Sequence, residues 1–396
     1  MHLNRLHLTE FRSYRHLEID IPSVGLVLVG RNASGKSTLL EAVRMLSTLR
    51  SPRSTHDRDV INWMSGEELV VAPYARVVGQ ATGESGDISL ELGLQRGEEA
   101  NIPLRKVIRI NQQNRRMQDS IGSILTVLFT PEDLDLISGS PGGRRRFIDL
   151  MLSQVDRPYV QHLARFIRVT EQRNSLLRAH HRQGVSRSAL VEQIGFWDEK
   201  LIGHGAYVVA VRREILGTLC DAFSRRVSDF TTSAVVAAAY APNLGIDFLD
   251  ATRPTDDRTQ LIAVARRSLE AAIAMRRDEE FRRGVTLVGP HRDDLEILLD
   301  SRPMSDFGSR GQQRLAVVAL KLAEADVIRT FGEQPILLLD DVLSELDITH
   351  RSALLETIAM CGAQILITTA DAAQIADTPM RGLRMATVES GTVSLG

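Results

Sequence analysis

Hydrophobic and polar positions change rhythm along this chain, and each rhythm predicts an element. Residues 1–24 alternate, with Leu3, Leu6 and Leu8 and then Leu17, Ile19 and Ile21 apolar, which predicts a hairpin entering a mixed sheet. Phe11-Arg12-Ser13-Tyr14 falls at its tip. A continuous apolar run over 26–29 then predicts a buried strand, followed by a polar loop and a helix-periodic stretch. Further strand-like runs at 69–78, 88–94, 104–110 and 124–129, separated by polar turns, predict a mostly antiparallel β subdomain.

The pattern changes at Thr130-Pro131-Glu132-Asp133-Leu134, and Pro141-Gly142-Gly143 marks a boundary. Beyond it, Leu163, Phe166, Ile167, Thr170, Asn174 and Leu177, and then Leu190, Ile194, Trp197, Leu201, His204, Val208 and Val211, are spaced three and four apart. Two such stripes on either side of 180–188 predict an antiparallel helical hairpin. A strand pair at 234–239 and 246–249 and a helix over 258–283 complete this insert. After Gly284 the expectation is strands at 285–288 and 295–299 and an amphipathic helix over 312–330. A buried strand ending in Asp340-Asp341, a helix over 349–360, a strand over 364–368 and a terminal hairpin follow. The fold class expected is α/β, with mixed sheets around a phosphate-loop core and an inserted helical arm. Its parts are 1–140, 141–283 and 284–396.

The candidate chemistry sits where strands end. Gly30-Arg31-Asn32-Ala33-Ser34-Gly35-Lys36-Ser37-Thr38 matches G-x-x-x-x-G-K-[ST], between a buried strand and a helix. Gly30 and Gly35 let successive backbone N–H groups turn toward a triphosphate. Lys36 reaches the β and γ phosphates, Ser37 offers a hydroxyl to Mg²⁺, and the helix presents its positive end. Asp340, at the end of an apolar strand, would hold the metal, and Asp341 would polarise the attacking water. Ser309-Arg310-Gly311-Gln312, before a helix, is by itself a simple N-cap. Lying in order between the loop and the acidic strand, it reads as a second anion-binding construction.

Composition narrows the classes. The chain has 396 residues, enough for one large or two ordinary domains, with a net charge of −2, so no global basicity marks a nucleic-acid partner. Of 48 basic residues only Lys36, Lys106, Lys200 and Lys321 are lysines. Arginine bonds phosphate bidentately, and genomic base composition produces the same bias. Arg144 to Arg146, Arg212-Arg213, Arg225-Arg226, Arg276-Arg277 and Arg282-Arg283 are either a basic surface following phosphates or solvated helix faces. Cys220 and Cys361 form no C-x-x-C pair, which argues against a zinc site or a disulfide framework. No signal core and no long apolar span is present, and the expected location is the cytoplasm.

The order of these motifs carries a resemblance. Gly30 to Thr38, Ser309 to Gln312, the strand ending at Asp341, and Ser344-Glu345-Leu346-Asp347 resemble the Walker A, signature, Walker B and D-loop motifs of ABC-type ATPases. Leu8 to Tyr14, Thr130 to Leu134, Gly142 to Asp149 and Gly289 to Asp294 look like the RecF family of gap-repair ATPases, similar in the head to SMC proteins. The resemblance implies a head with a helical arm and ATP sandwiched in a two-fold dimer. Lys36 and Asp340 of one chain would face Ser309 and Gly311 of the other, with Gln312 and Asp347 also binding nucleotide and Lys36, Asp341 and Ser309 catalytic. One phosphate loop and one signature helix per chain independently favour that symmetry. It also implies duplex DNA beside gaps, RecR and RecO as partners, help in loading RecA, and a slow, DNA-stimulated ATPase. The alternatives are another ABC-type machine, an SMC-like organiser or a transporter ATPase. The chain departs from the ABC pattern in having Asp341 for glutamate, Thr368-Thr369-Ala370 where a switch histidine is usual, and Glu132 near the Q-loop place. A threonine would then contact the γ-phosphate. His291 to Asp294 are either structural or ligand contacts.

Overall fold

Two strand patterns in the sequence become two sheets. The computed structural model describes residues 1–66, 72–97, 104–183, 187–230, 235–244, 246–376 and 378–395. They form two compact units, Met1–Leu134 with Arg226–Thr231 and Arg310–Gly396, and Asp135–Arg225 with Thr232–Ser309.

In the first unit the alternating segments make a six-stranded antiparallel sheet. Its order is Tyr14–Asp20, His2–Phe11, Tyr74–Gly83, Gly86–Gln95, Arg105–Ile110, Gln113–Asn114. The alternation slips by one between Leu3 and Leu6, where a register shift against Tyr74–Gly83 lies between Leu3 and Arg5. The irregularity turns Leu3, Leu6 and Leu8 all inward, each fully buried. The continuous apolar runs make the second sheet, ordered Thr392–Leu395, Arg384–Glu389, Gly25–Val29, Ile365–Thr369, Ile336–Asp340, Thr126–Phe129. Every pairing in it is parallel except the terminal hairpin. Residues 126–129, expected in the antiparallel subdomain, instead form an edge of this parallel sheet, as four consecutive buried side chains require.

The helix Lys36–Thr48 has every residue from Leu39 to Thr48 buried. Its Leu39, Val43 and Leu46 join one core with Leu26, Leu28, Leu338 and Leu366 of the parallel sheet and Leu8, Val77, Leu90 and Leu92 of the antiparallel one. The phosphate loop is thus anchored from both sides. The strand expected at 69–78 begins at Tyr74, and residues 67–71 lie outside the described ones.

The second unit is built on the helices Pro141–Val155, Arg157–Gln183, Arg187–Ser228 (to Arg225) and Arg258–Arg283, with a small antiparallel sheet of Arg302–Pro303, Asp294–Leu299 and Val236–Ala241. The two stripes meet through Phe166 and Leu201 in one core and Leu177 and Ile194 in another, whereas Ile167 is exposed and the side chain of Leu190 lies outside the described residues. The strand pair does not form as expected. Val236–Ala241 pairs with Asp294–Leu299, while Ile246–Asp250 is a short helix that buries Phe248. Residues 285–288 are irregular rather than a strand. The Thr286 N–H bonds the Asn174 side chain and the Leu287 N–H the Glu280 carboxylate, so side chains replace a ladder.

Buried ion pairs brace this unit. Arg173, fully buried, bonds Asp198, Glu280 and Thr286. Arg212, 1 % exposed, donates to Asp149, Asp293, the Tyr159 hydroxyl and the Pro290 carbonyl. The basic-surface reading of Arg212 is therefore overturned: its charge is desolvated and held by two carboxylates. Arg144 grips Asp294 with two bonds of 2.7 and 2.8 Å, and Arg145 donates to the Asp293 carbonyl. Arg213 bonds Thr252, and Arg277 bonds Asp198. His291 is half-buried beside Phe166 with Nε2 3.2 Å from the Thr286 carbonyl oxygen, and desolvation pushes its pKa down to about 4. These residues are framework.

Candidate nucleotide site

The strand Gly25–Val29 runs out at Gly30, where a Cβ would meet the Val388 carbonyl oxygen at 2.3 Å. The chain then curls through Arg31 to Ser34 and enters the helix through Gly35, whose φ of 113° suits glycine. Lys36 folds back over the loop, donating to the Gly30 and Arg31 carbonyls at 2.7 and 2.9 Å. Burial lowers its pKa, while the nearby Asp341 and Asp340 pull the other way. The Ser34 hydroxyl is buried without a hydrogen-bond partner. A donor lining a tight glycine loop and left over inside the fold suits a phosphate oxygen.

The hairpin tip does more than turn. Phe11 and Tyr14 are fully buried, and the Tyr14 hydroxyl donates to the Gly35 carbonyl at 3.0 Å, bracing the loop from behind. Arg12, with φ of 54°, bonds Glu41 at 2.8 and 3.2 Å and the Asp59 carbonyl at 2.9 Å. Glu41 also accepts from Ser51 at 2.6 Å. A cavity of about 550 Å³ opens here, lined by Ala33 to Thr38 together with Arg12, Arg53, Asn62 and the exposed Trp63. Its size and mix of polar and aromatic walls are those of a small-molecule site.

A second cavity of about 190 Å³ adjoins it through Ser37 and Arg53, and Glu41, Thr130, Glu132, Asp340 and Asp341 line it. The Ser37 hydroxyl donates to Asp340 Oδ1 at 2.7 Å, joining phosphate loop to acidic strand. Thr368, 1 % exposed, does not point a free hydroxyl at a ligand. It donates to the same Asp340 Oδ1 at 2.8 Å and accepts from the Asp341 N–H at 2.9 Å. Its hydroxyl thus ties the Asp340 carboxylate to the Asp341 backbone N–H. Asp341 sits at φ 52°, in the left-handed region. Ser37 and Asp340 offer hard oxygen donors of the kind that would hold Mg²⁺. No cluster of three or more His, Cys, Asp or Glu side chains that could hold a metal occurs among the described residues.

The signature segment is placed differently. Ser309 closes the second unit, and Arg310 opens the helix Arg310–Phe331 in the first. Gly311 is exposed, and a Cβ there would meet open space. Among the described residues, neither cavity is lined by Gly311, Gln312 or Asp347. Asp347 caps the helix Ile348–Met360, accepting from the His350 N–H at 3.0 Å and from its ring at 2.5 Å. Those bonds hold its carboxyl below the ordinary value. Residues that sequence reasoning missed include Glu41, Arg53, Asn62 and Trp63, for which spacing gives no signal because they gather from separate turns.

A phosphate loop between two sheets, bonded to an acidic strand end, with a helical unit inserted in the chain, defines an ABC-type ATPase head carrying an arm. The family model described as the RecF/RecN/SMC N terminal domain matches residues 2–394. The DNA replication and repair protein RecF of Thermomicrobium roseum is 42% identical over 386 residues, covering 96% of each chain, and that of Herpetosiphon aurantiacus is 41% identical over 378 residues, covering 94% of each. A solved structure described as the recombination mediator protein RecF-ATPrS in the RecFOR pathway matches with a TM-score of 0.84 at 27% identity, covering 100% of this chain and 98% of that one. An SMC head bound to the C-winged helix domain of ScpA matches at 0.53 and 15% identity, covering 100% and 98%, a likeness of fold alone. This chain belongs to the RecF family.

Proposed function

We propose that this chain is an ATP-switched DNA clamp of recombinational repair. The observation that carries the reading is the 2.7 Å bond from Ser37 to Asp340 between two adjoining cavities, which unites phosphate loop and acidic strand at one point. Triphosphate would lie along Gly30 to Thr38, with Lys36 exchanging its carbonyl partners for the β and γ phosphates. Ser37 and Asp340 would hold Mg²⁺, which neutralises charge developing on the phosphates. Asp341, fixed by the Thr368 hydroxyl, would orient water for slow hydrolysis. Ser309, Gly311, Gln312 and Asp347 would complete the site of a second copy, so binding closes a dimer and hydrolysis opens it.

Relatives named for DNA replication and repair, and one described in the RecFOR pathway, support duplex DNA beside gaps as the cargo. They likewise support RecR and RecO as partners, with RecA loading downstream. No helix among the described residues is long and apolar enough to cross a membrane, in keeping with a cytoplasmic role. Sedimentation with and without ATP, alongside gapped-duplex binding, tests the reading. Wild type should dimerise with ATP, Lys36→Arg should lose hydrolysis, and Ser309→Arg should bind nucleotide yet stay monomeric. Normal dimers and normal DNA binding by Ser309→Arg would refute the shared site.

A further inference from the structure

Several arginines of the helical unit are held by internal carboxylates: Arg144, Arg173, Arg212, Arg258 and Arg277 each carry an ion pair of 2.8 Å or less. One exposed surface contrasts with them. On the helix Arg157–Gln183, Arg157, Arg165 and Arg168 are exposed on a shared face spanning about 16 Å, and none has an ion pair among the described residues. On the neighbouring helix the Lys200 ammonium lies over the Phe196 ring at 5.5 Å and, with Arg165, acts electrostatically on His204. Between these cations lie His162 and His204, half-buried, with Nδ1 atoms 3.3 Å apart and ring centroids 5.2 Å apart. His162 stacks on Tyr207 at 4.1 Å.

We propose that Arg165, Lys200, His162 and His204, flanked by Arg157 and Arg168, form a phosphodiester-binding patch on the helical unit, gripping the backbone of duplex DNA. The proposal rests on the clamp reading and locates part of its DNA contact.

The chemistry favours an anion. The two Nδ1 atoms share one hydrogen, so in the neutral pair one ring keeps a free Nε2 lone pair and the other an Nε2–H. One added proton makes both Nε2 atoms donors without breaking the Nδ1 bond. Desolvation, mutual repulsion and the cations Arg165 and Lys200 hold the pair's proton affinity down in the free protein. A phosphate landing there reverses that bias, and the same cations oppose a metal ion.

One facing carboxylate is Asp156, bonded to Arg258 at 2.5 Å and to the Tyr207 hydroxyl at 3.1 Å, and Arg258 also holds Glu214. Asp156 favours a proton on His162, but desolvation, His204 and Arg165 outweigh it. Guanidinium forks and imidazolium donors suit phosphate oxygens, and the contact is blind to sequence.

Fluorescence anisotropy of plain and gapped duplex, at several salt concentrations and at about pH 6 and about pH 8, tests this with the full chain. Arg165→Gln/Lys200→Gln should reduce the salt slope by roughly 1–2 units. Wild-type affinity should rise on going from about pH 8 to about pH 6, by up to about tenfold per pH unit for one proton taken up. His162→Gln/His204→Gln should flatten that rise while ATP binding stays unchanged. A wild type that binds no duplex sinks the clamp reading and the patch with it. One that binds while every variant matches its affinity, salt slope and pH response sinks the patch alone. Poly-glutamate serves as a competing probe. If Arg165→Glu/Lys200→Glu lost only poly-glutamate binding and kept duplex binding, the surface would belong to an acidic protein partner and the proposal would fall.

Discussion

Thr368 offers the sharpest perturbation because one hydroxyl ties the Asp340 carboxylate to the Asp341 backbone. Thr368→Val keeps the shape of a side chain that is 1 % exposed, so packing changes little. It removes the 2.8 Å donation to Asp340 and leaves the Asp341 N–H, formerly bonded at 2.9 Å, without its acceptor. A hydrogen bond to a charged group contributes about 1.5–3 kcal/mol, and an orphaned buried donor costs about 1–3 kcal/mol. Stability should therefore fall by about 2–4 kcal/mol in urea unfolding. If about 2 kcal/mol of the loss is felt in the transition state, through a misplaced Asp341, turnover should drop about thirtyfold. Nucleotide binding without Mg²⁺ should be nearly unchanged, since Lys36 and the loop N–H groups are untouched. Steady-state ATPase with a metal titration reads both effects. Turnover and metal dependence within twofold of wild type would show that the hydroxyl does not position the acidic pair.

Tyr14→Phe removes the bond to the Gly35 carbonyl and should weaken nucleotide binding about fivefold, for about 1 kcal/mol, as read by calorimetry. Arg212→Met leaves Asp149 and Asp293 without their cation and should cost about 3–5 kcal/mol in urea unfolding, with no change in nucleotide affinity beyond that loss of fold. For His291 the folded pKa of about 4 lies below the ordinary value of 6.5, so the unfolded chain binds the extra proton between them. Its contribution is complete above the unfolded value and is lost as pH falls toward about 4. The urea midpoint of wild type should decline across that window, by up to about 3 kcal/mol, and His291→Gln should decline less.

How much was legible follows from where each signal resides. The phosphate loop and the strand ending in Asp340 were readable because a buried parallel strand must be continuously apolar and its polar end must do something. The helical hairpin showed in its spacing. The Glu41–Arg12 pair did not, because its partners lie on a hairpin tip and a helix, and a carboxylate inside a helix looks solvated until the helix is seen between two sheets. Arg212 misled for the same reason: its carboxylates, Asp149 and Asp293, are far off in sequence. Thr368 was assigned to ligand by position in a motif, while its bonds to the strand end beside it are a matter of geometry. Residues 285–288 read as apolar and hence as a strand, but side chains of Asn174 and Glu280 satisfied their backbone first.

The pairing of Gly25 with Ile365 has a consequence for biosynthesis. The strand leading into the phosphate loop meets its two neighbours, Ile365–Thr369 and Arg384–Glu389, only about 340 residues after it leaves the ribosome. At about 5–20 residues per second it waits roughly 20–70 s as an unprotected greasy ribbon. Nascent chains arrested before residue 365 should therefore ignore ATP and lean on chaperones.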